Sequence, residues 1–140
     1  MHSHLVIKNA LSELDSLSAG LLTFCRDHNL SEEIYYDVWL ALEEAVSNTI
    51  KYGYEDHEVH EIRVMFRLEN QNLHLEIEDD AKAFNPLDAP APDLSLPARE
   101  KQIGGLGIYL LRQVMDRVEY SRSGKTNILR MMKSIPPKPL

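Results

Sequence analysis

Basic charge, cysteine and long apolar runs are all scarce in this chain. Lys and Arg number 15 against 22 Asp and Glu, a formal net charge of -7. That balance argues against nucleic acid as a direct partner, because such a binder displaces phosphate counterions with a basic surface. It leaves room for a local basic cluster that takes phosphates. Cys25 is the single cysteine, so an intrachain disulfide and a thiolate metal cluster are both excluded. No apolar stretch approaches the roughly 20 residues that span a bilayer. Met1-His2-Ser3-His4 leads into a strand-like run, not into a basic region followed by an apolar one. The expectation is a cytoplasmic protein with no membrane partner. What remains is ordinary for a globular chain, 44% hydrophobic and 26% charged over 140 residues, enough for one domain with its own core.

Residues 3–8 alternate weakly through Leu5 and Ile7 and suggest a short edge strand. Between Leu11 and Asn29, Leu14, Leu17, Leu21 and Cys25 recur at helical steps, with Glu13 and Asp15 outward. Cys25 on that stripe reads as a small core hydrophobe. Ser31 is placed to cap a second helix, with Glu32 and Glu33 in the first turn where the helix dipole favours acids. Ile34, Val38, Ala41 and Ala45 form its apolar stripe, and Gly53 is its natural stop. Ile62, Val64, Phe66 and Leu68 then alternate with charged residues, Glu69–Asn72 signals a hairpin turn, and Leu73, Leu75 and Ile77 return on the buried face. Prolines at 86, 90, 92 and 97 make Asp80–Gln102 a long surface loop. A helix opened by Gly104-Gly105-Leu106-Gly107 follows, then strands around Val118–Tyr120 and Asn127–Met132 joined by a turn at Ser123–Lys125. Helices layered on one side of a run of antiparallel strands make an α+β fold.

Three features of this pattern carry chemistry. Glu44 and Asn48 lie one turn apart on the second helix, so both project from one face. A carboxylate and an amide so placed either form a solvated face or share a ligand, the amide oxygen suiting Mg²⁺ and the carboxylate accepting a proton. Counting by two from Ile77 reaches Asp79, a carboxylate on the inward face of a strand end that needs a donor, such as the exocyclic amine of adenine. The glycine cluster is either a hinge or a helix start whose amides approach phosphate oxygens, with Lys101 and Arg99 nearby.

In this order and at these separations, the three features resemble the ATP-binding domain shared by histidine kinases and gyrase-type ATPases, the GHKL superfamily. Within it the chain looks most like the small bacterial anti-sigma factor and serine-protein kinase group. The resemblance covers roughly residues 5–133 and implies that residues 1–140 form one ATP-binding domain. The implied fold is a two-layer α+β sandwich, a mixed but mainly antiparallel sheet with helices on one face. It also implies ATP and Mg²⁺ as ligands, with Glu44 as general base and Asn48 as the Mg²⁺ ligand. Asp79 then matches the residue on the adenine amine, Gly104, Gly105 and Gly107 with Lys101 the phosphate loop, and Thr126 a threonine near the adenine. Ala81 departs from the pattern, since the family usually has glycine two residues after that aspartate, and its methyl is expected to crowd the base. The implied function is phosphorylation of a serine or threonine on an antagonist protein, with a sigma factor as the other partner and a possible homodimer. The alternative is a nucleotide-responsive module that sequesters a regulator without turnover.

Overall fold

The computed structural model of the protein describes residues 2–88 and 105–137. The larger part of the proline-rich loop, with Arg99, Lys101 and Gly104, lies outside the described residues. Strand β1 (His2–Lys8) opens the chain, and a short 3-10 turn at Leu11–Glu13 leads into α1 (Leu14–Asp27). Helix α2 (Glu32–Tyr52) precedes the hairpin of β2 (Glu61–Glu69) and β3 (Asn72–Asp79). Helix α3 (Gly105–Val114) and the hairpin of β4 (Arg117–Ser123) and β5 (Thr126–Ser134) complete the described fold.

The sheet has five strands in the order β1-β2-β3-β5-β4. Every neighbouring pair is antiparallel, so the parallel component expected of a mixed sheet is absent among the described residues. Tight hairpins fix this for two of the pairs: the β2–β3 turn has Asn70 at φ 51 and Gln71 at φ 63, and the β4–β5 turn has Gly124 at φ 59. Two successive left-handed residues give a turn whose twist matches that of the flanking strands. β1 sits at the sheet edge, as its weak alternation suggests.

Strand periodicity sorts the core. Ile7, Ile62, Val64, Phe66, Leu73, Leu75, Ile77, Leu129 and Met131 are buried on one face and meet the buried stripes of the helices. Those stripes are Leu17, Leu21, Phe24 and Cys25 of α1 and Ile34, Val38, Ala41, Leu42, Ala45 and Val46 of α2. Phe24, outside the three- and four-residue series read from the sequence, fills the gap against Phe66 at a ring separation of 5.6 Å. Burial pushes the Cys25 thiol up to about 11, which keeps it protonated and inert at neutral pH.

The start of α2 follows its sequence signal. Ser31 is extended, and its Oγ accepts from the Ile34 N–H at 3.2 Å, satisfying one of the orphan donors of the first turn. The stop at Gly53 has a different cause from the one the sequence suggests. Gly53 has φ -84 and ψ -21, a backbone that any residue adopts. Its missing side chain matters because a methyl there would lie 2.7 Å from the Ala81 methyl and 2.6 Å from the Thr49 carbonyl oxygen. Glycine at this point lets the end of α2 close onto the segment after β3, where the Lys82 N–H donates to the Gly53 carbonyl at 2.9 Å.

Candidate functional site

The polar pair on α2 is preassembled. Asn48 Nδ2 donates to Glu44 Oε1 at 2.9 Å, and both side chains are half-buried. An amide that spends its nitrogen this way turns Oδ1 away from the carboxylate, leaving a hard acceptor exposed on the same face. The neighbouring hydroxyls are consumed locally: Ser47 Oγ donates to the Glu44 carbonyl at 3.4 Å and Thr49 Oγ1 to the Ala45 carbonyl at 3.1 Å. Helix α3 packs on α2 so that a methyl built on Gly107 would overlap the Glu44 carboxylate. The first turn of α3, which begins at Gly105, is therefore brought directly against the Glu44/Asn48 pair.

A second polar group closes the end of the sheet. Asp79 is 9% exposed and Asn127 is 6% exposed, and their backbones are register partners in β3 and β5. Asp79 Oδ1 accepts from Asn127 Nδ2 at 2.8 Å and from the Ala81 N–H at 3.0 Å. Asn127 Nδ2 also reaches the Ala81 carbonyl at 3.0 Å and the Lys82 carbonyl at 3.2 Å. On its other side, Asn127 Oδ1 accepts from Arg122 Nη1 at 2.7 Å and from the Tyr120 hydroxyl. Arg122 Nη1 donates as well to the Ala81 carbonyl at 3.1 Å. Burial raises the Asp79 carboxyl above its usual range, an effect opposed by the hydrogen bonds from Asn127 and Ala81.

Beside Asp79, the connection from α2 to β2 is clamped. His60 is stacked on Tyr54 with ring centroids 4.4 Å apart. Its Nε2 lies 2.8 Å from Asp56 Oδ1 and its Nδ1 lies 3.0 Å from Asp80 Oδ2. Hydrogen bonding to Asp80 and then Asp56 raises the His60 pKa, and a ring that faces a carboxylate at each nitrogen is satisfied at both only as the imidazolium. The Tyr54 hydroxyl is buried without a hydrogen-bond partner among the described residues. Burial, and after it the charges of Asp79, Asp80 and Asp56, push its pKa above the ordinary tyrosine range.

The structure thus gathers Glu44, Asn48 and Gly107 at one place and Asp79 and Ala81 at the end of β3. Ala81 is buried with its methyl against Gly53, so part of the volume expected to crowd a bound base is taken up at the end of α2. Thr126 does not join Asp79: it pairs with Ser123 at the β4–β5 turn, and the inward residue beside Asp79 is Asn127. The signal for Asn127 was in the strand period, since counting back by two from Met131 and Leu129 reaches it. His60 and Tyr54 carry no comparable signal, because they lie in a polar turn whose contacts with Asp80 are long-range. Lys101 and Gly104 lie outside the described residues.

Residues 7–133 match the histidine kinase-like ATPase domain. Serine-protein kinase RsbW of Listeria monocytogenes is 28% identical over 93 residues, 64% of this chain and 59% of that protein. The chain therefore spans less than two thirds of this relative's length. Serine/threonine-protein kinase BtrW of Bordetella bronchiseptica is 26% identical over 99 residues, 71% of this chain and 70% of the relative. An anti-sigma F factor of Thermoanaerobacter is 28% identical over 100 residues, with 71% and 69% covered. A crystal structure of RsbU and RsbW domains from Mycobacterium tuberculosis covers 96% of this chain and 32% of that one, at a TM-score of 0.71 and 12% identity, a likeness of fold alone. No helix among the described residues is long and apolar enough to cross a membrane. With a five-stranded antiparallel sheet under helices and a match that spans almost all of its length, the chain belongs to the histidine kinase-like ATPase domain family.

Proposed function

We propose that the protein is a cytoplasmic anti-sigma-type regulator that binds Mg-ATP and phosphorylates a serine or threonine on an antagonist protein. The observation that carries this reading is the packing of the α3 start onto the Glu44/Asn48 pair, with the inward Asp79 at the far end of β3. Two features fit a nucleotide. Gly107 has no side chain where the Glu44 carboxylate comes closest, so the backbone at the start of α3 lies directly against that carboxylate. The Tyr54 hydroxyl is a buried polar atom without a partner among the described residues, and it is coupled electrostatically to Asp79.

In this reading Asn48 Oδ1 is the protein ligand for the cation, and Gly105 and Gly107 serve the phosphates, a role the resemblance extends to Gly104 and Lys101. Mg²⁺, when bound, neutralises phosphate charge as it develops in transfer. Glu44, held in orientation by Asn48, accepts the proton of the incoming hydroxyl. Asp79 takes the exocyclic amine of adenine. Most of the rate comes from positioning, since phosphoryl transfer asks for little covalent chemistry from the protein. A sigma factor and the antagonist are the partners, and the domain works singly or as a homodimer.

The test is transfer of labelled phosphate from ATP to purified antagonist, with Glu44→Gln as the comparison. The expected result is loss of transfer with nucleotide binding retained. Transfer at the parent rate removes Glu44 as the base, and no nucleotide binding at millimolar concentration removes the kinase reading altogether.

A further inference from the structure

Away from the Glu44/Asn48 pair, the connection between α2 and β2 gathers a second set of metal-ligating side chains. Ligand atoms of Asp56, Glu58 and His60 all lie within 4.8 Å of one another. Acids gather on many surfaces without holding anything, but this group is centred on an imidazole set in a fixed direction. The His60 ring stacks on Tyr54 at 4.4 Å, and its Nδ1 lies 3.0 Å from Asp80 Oδ2, just past β3. That leaves Nε2 facing the Asp56 carboxylate at 2.8 Å. A histidine held by a carboxylate at one nitrogen, with ligand oxygens at the other, is the arrangement that orients imidazoles toward metals.

The backbone carrying these groups is pinned as well. Asn9, just past β1, donates from Nδ2 to the Glu58 carbonyl at 3.2 Å and accepts at Oδ1 from the His60 N–H at 2.9 Å. Its own N–H reaches the His60 carbonyl at 3.1 Å, so the chain is held on both sides of Val59. The Glu58 side chain makes no hydrogen bond or ion pair among the described residues, since its polar contacts run through its backbone. Three carboxylates, from Asp56, Glu58 and Asp80, surround one imidazole. Even an imidazolium leaves two negative charges uncompensated within this group, which a divalent cation cancels.

We propose that Asp56, Glu58 and His60 bind a zinc-type divalent cation, with Asp80 as the outer carboxylate that orients the imidazole. A tetrahedral ion with ligands at about 2.0–2.2 Å holds them roughly 3.3–3.6 Å apart. Asp56 and Glu58 are exposed, so their carboxylates reach that spacing by rotation about the fixed ring. His60 Nε2 gives its lone pair to the ion in place of a proton, which leaves to solvent, and water takes the fourth position. An imidazole ligand favours zinc over Mg²⁺ or Ca²⁺, which prefer oxygen alone. Neither Glu44 nor Asn48 takes part, so the inference stands apart from the nucleotide reading.

The experiment titrates zinc chloride calorimetrically into the full chain, stripped of metal with a chelator and dialysed, at neutral pH with millimolar Mg²⁺ and no nucleotide. The expected result is one equivalent of zinc per chain that Mg²⁺ does not displace. Glu58→Gln and His60→Gln should each lose it, and Asp80→Asn should weaken it about 10–100-fold, the usual effect of removing an outer partner of a metal-bound histidine. His57→Gln should leave it unchanged.

Melting curves supply a second readout. One equivalent of zinc should raise the melting temperature of the parent and leave that of Glu58→Gln where it was, since only an ion bound to the folded chain stabilises it. If His60→Gln fails to fold, Glu58→Gln carries the test, because it removes a ligand and leaves the ring's other contacts in place. A parent that binds no zinc overturns the inference. Zinc that binds equally to the parent, Glu58→Gln and His60→Gln is an adventitious ion only, and it overturns the inference too.

Discussion

At Gly107 the demands of helix stability and of the site oppose each other. Glycine inside a helix costs roughly 0.5–1 kcal/mol relative to alanine, yet a methyl there overlaps the Glu44 carboxylate. Gly107→Ala is therefore expected to keep or raise thermal stability by up to about 1 kcal/mol, because a flexible carboxylate can swing aside. Phosphate transfer should fall on the order of 10²-fold, the usual consequence of misplacing a catalytic group by about 1 Å. Melting curves and transfer rates on one preparation check both halves, and a folded variant that keeps the parent's rate removes Glu44 from the reaction. Gly53 makes the converse case. Its substitution by alanine meets the Ala81 methyl and the Thr49 carbonyl, so a loss of about 1–3 kcal/mol is expected. Ala81→Gly in the same chain should recover part of that loss in a double-mutant cycle. The shared helix face of Glu44 and Asn48 and the inward face of Asp79 were legible from helical and strand spacing. The reason for Gly53 was not, because it lies in a contact with a residue 28 positions later in the chain.

Between elements, the His60 clamp joins the connection after α2 to the end of β3. Its hydrogen bonds to Asp80 and Asp56 raise the folded-state pKa of His60 above its ordinary value of 6.5, and those to His60 lower that of Asp56 below 3.8. A raised histidine contributes stability that is fully present below the unfolded pKa and is lost as pH rises through the folded one. A lowered aspartate contributes stability that is present above its unfolded pKa and is lost as pH falls through the folded one. The clamp is thus whole from mildly acidic pH up to the ordinary histidine range, and it weakens on the alkaline side first. Melting temperature should decline as pH rises from about 6 through the raised His60 value, and His60→Gln should flatten that decline. Equal slopes in the two chains would remove the clamp as the cause. Elements themselves were readable wherever the period was strong: the Ser31 cap, the two hairpins and the stripes of α1 and α2 fall where the sequence puts them. The sheet's wholly antiparallel character and the pairing of Asp79 with Asn127 depend on strand order, which no local pattern specifies.

Across the whole molecule, the proposed ligand would touch α2, β3 and α3, which are held together chiefly by one core. Anything that binds only the folded state raises stability by mass action, about 2.7 kcal/mol at a hundredfold excess over the dissociation constant. For a chain of 140 residues that is a rise on the order of 10 °C in melting temperature. Mg-ATP should therefore shift the parent upward by about this amount. Asn48→Ala and Asp79→Asn should each lose most of the shift, the first through the cation and the second through the base. The two variants are separable by omitting Mg²⁺: removal of the metal should reduce the parent's shift but add little to the loss already present in Asn48→Ala. Glu44→Gln should retain the full shift while losing transfer, because binding uses the assembled pocket and turnover also uses the carboxylate. If Glu44→Gln loses the shift as well, the Glu44/Asn48 hydrogen bond is holding the pocket open, and the division of labour between the two side chains is wrong.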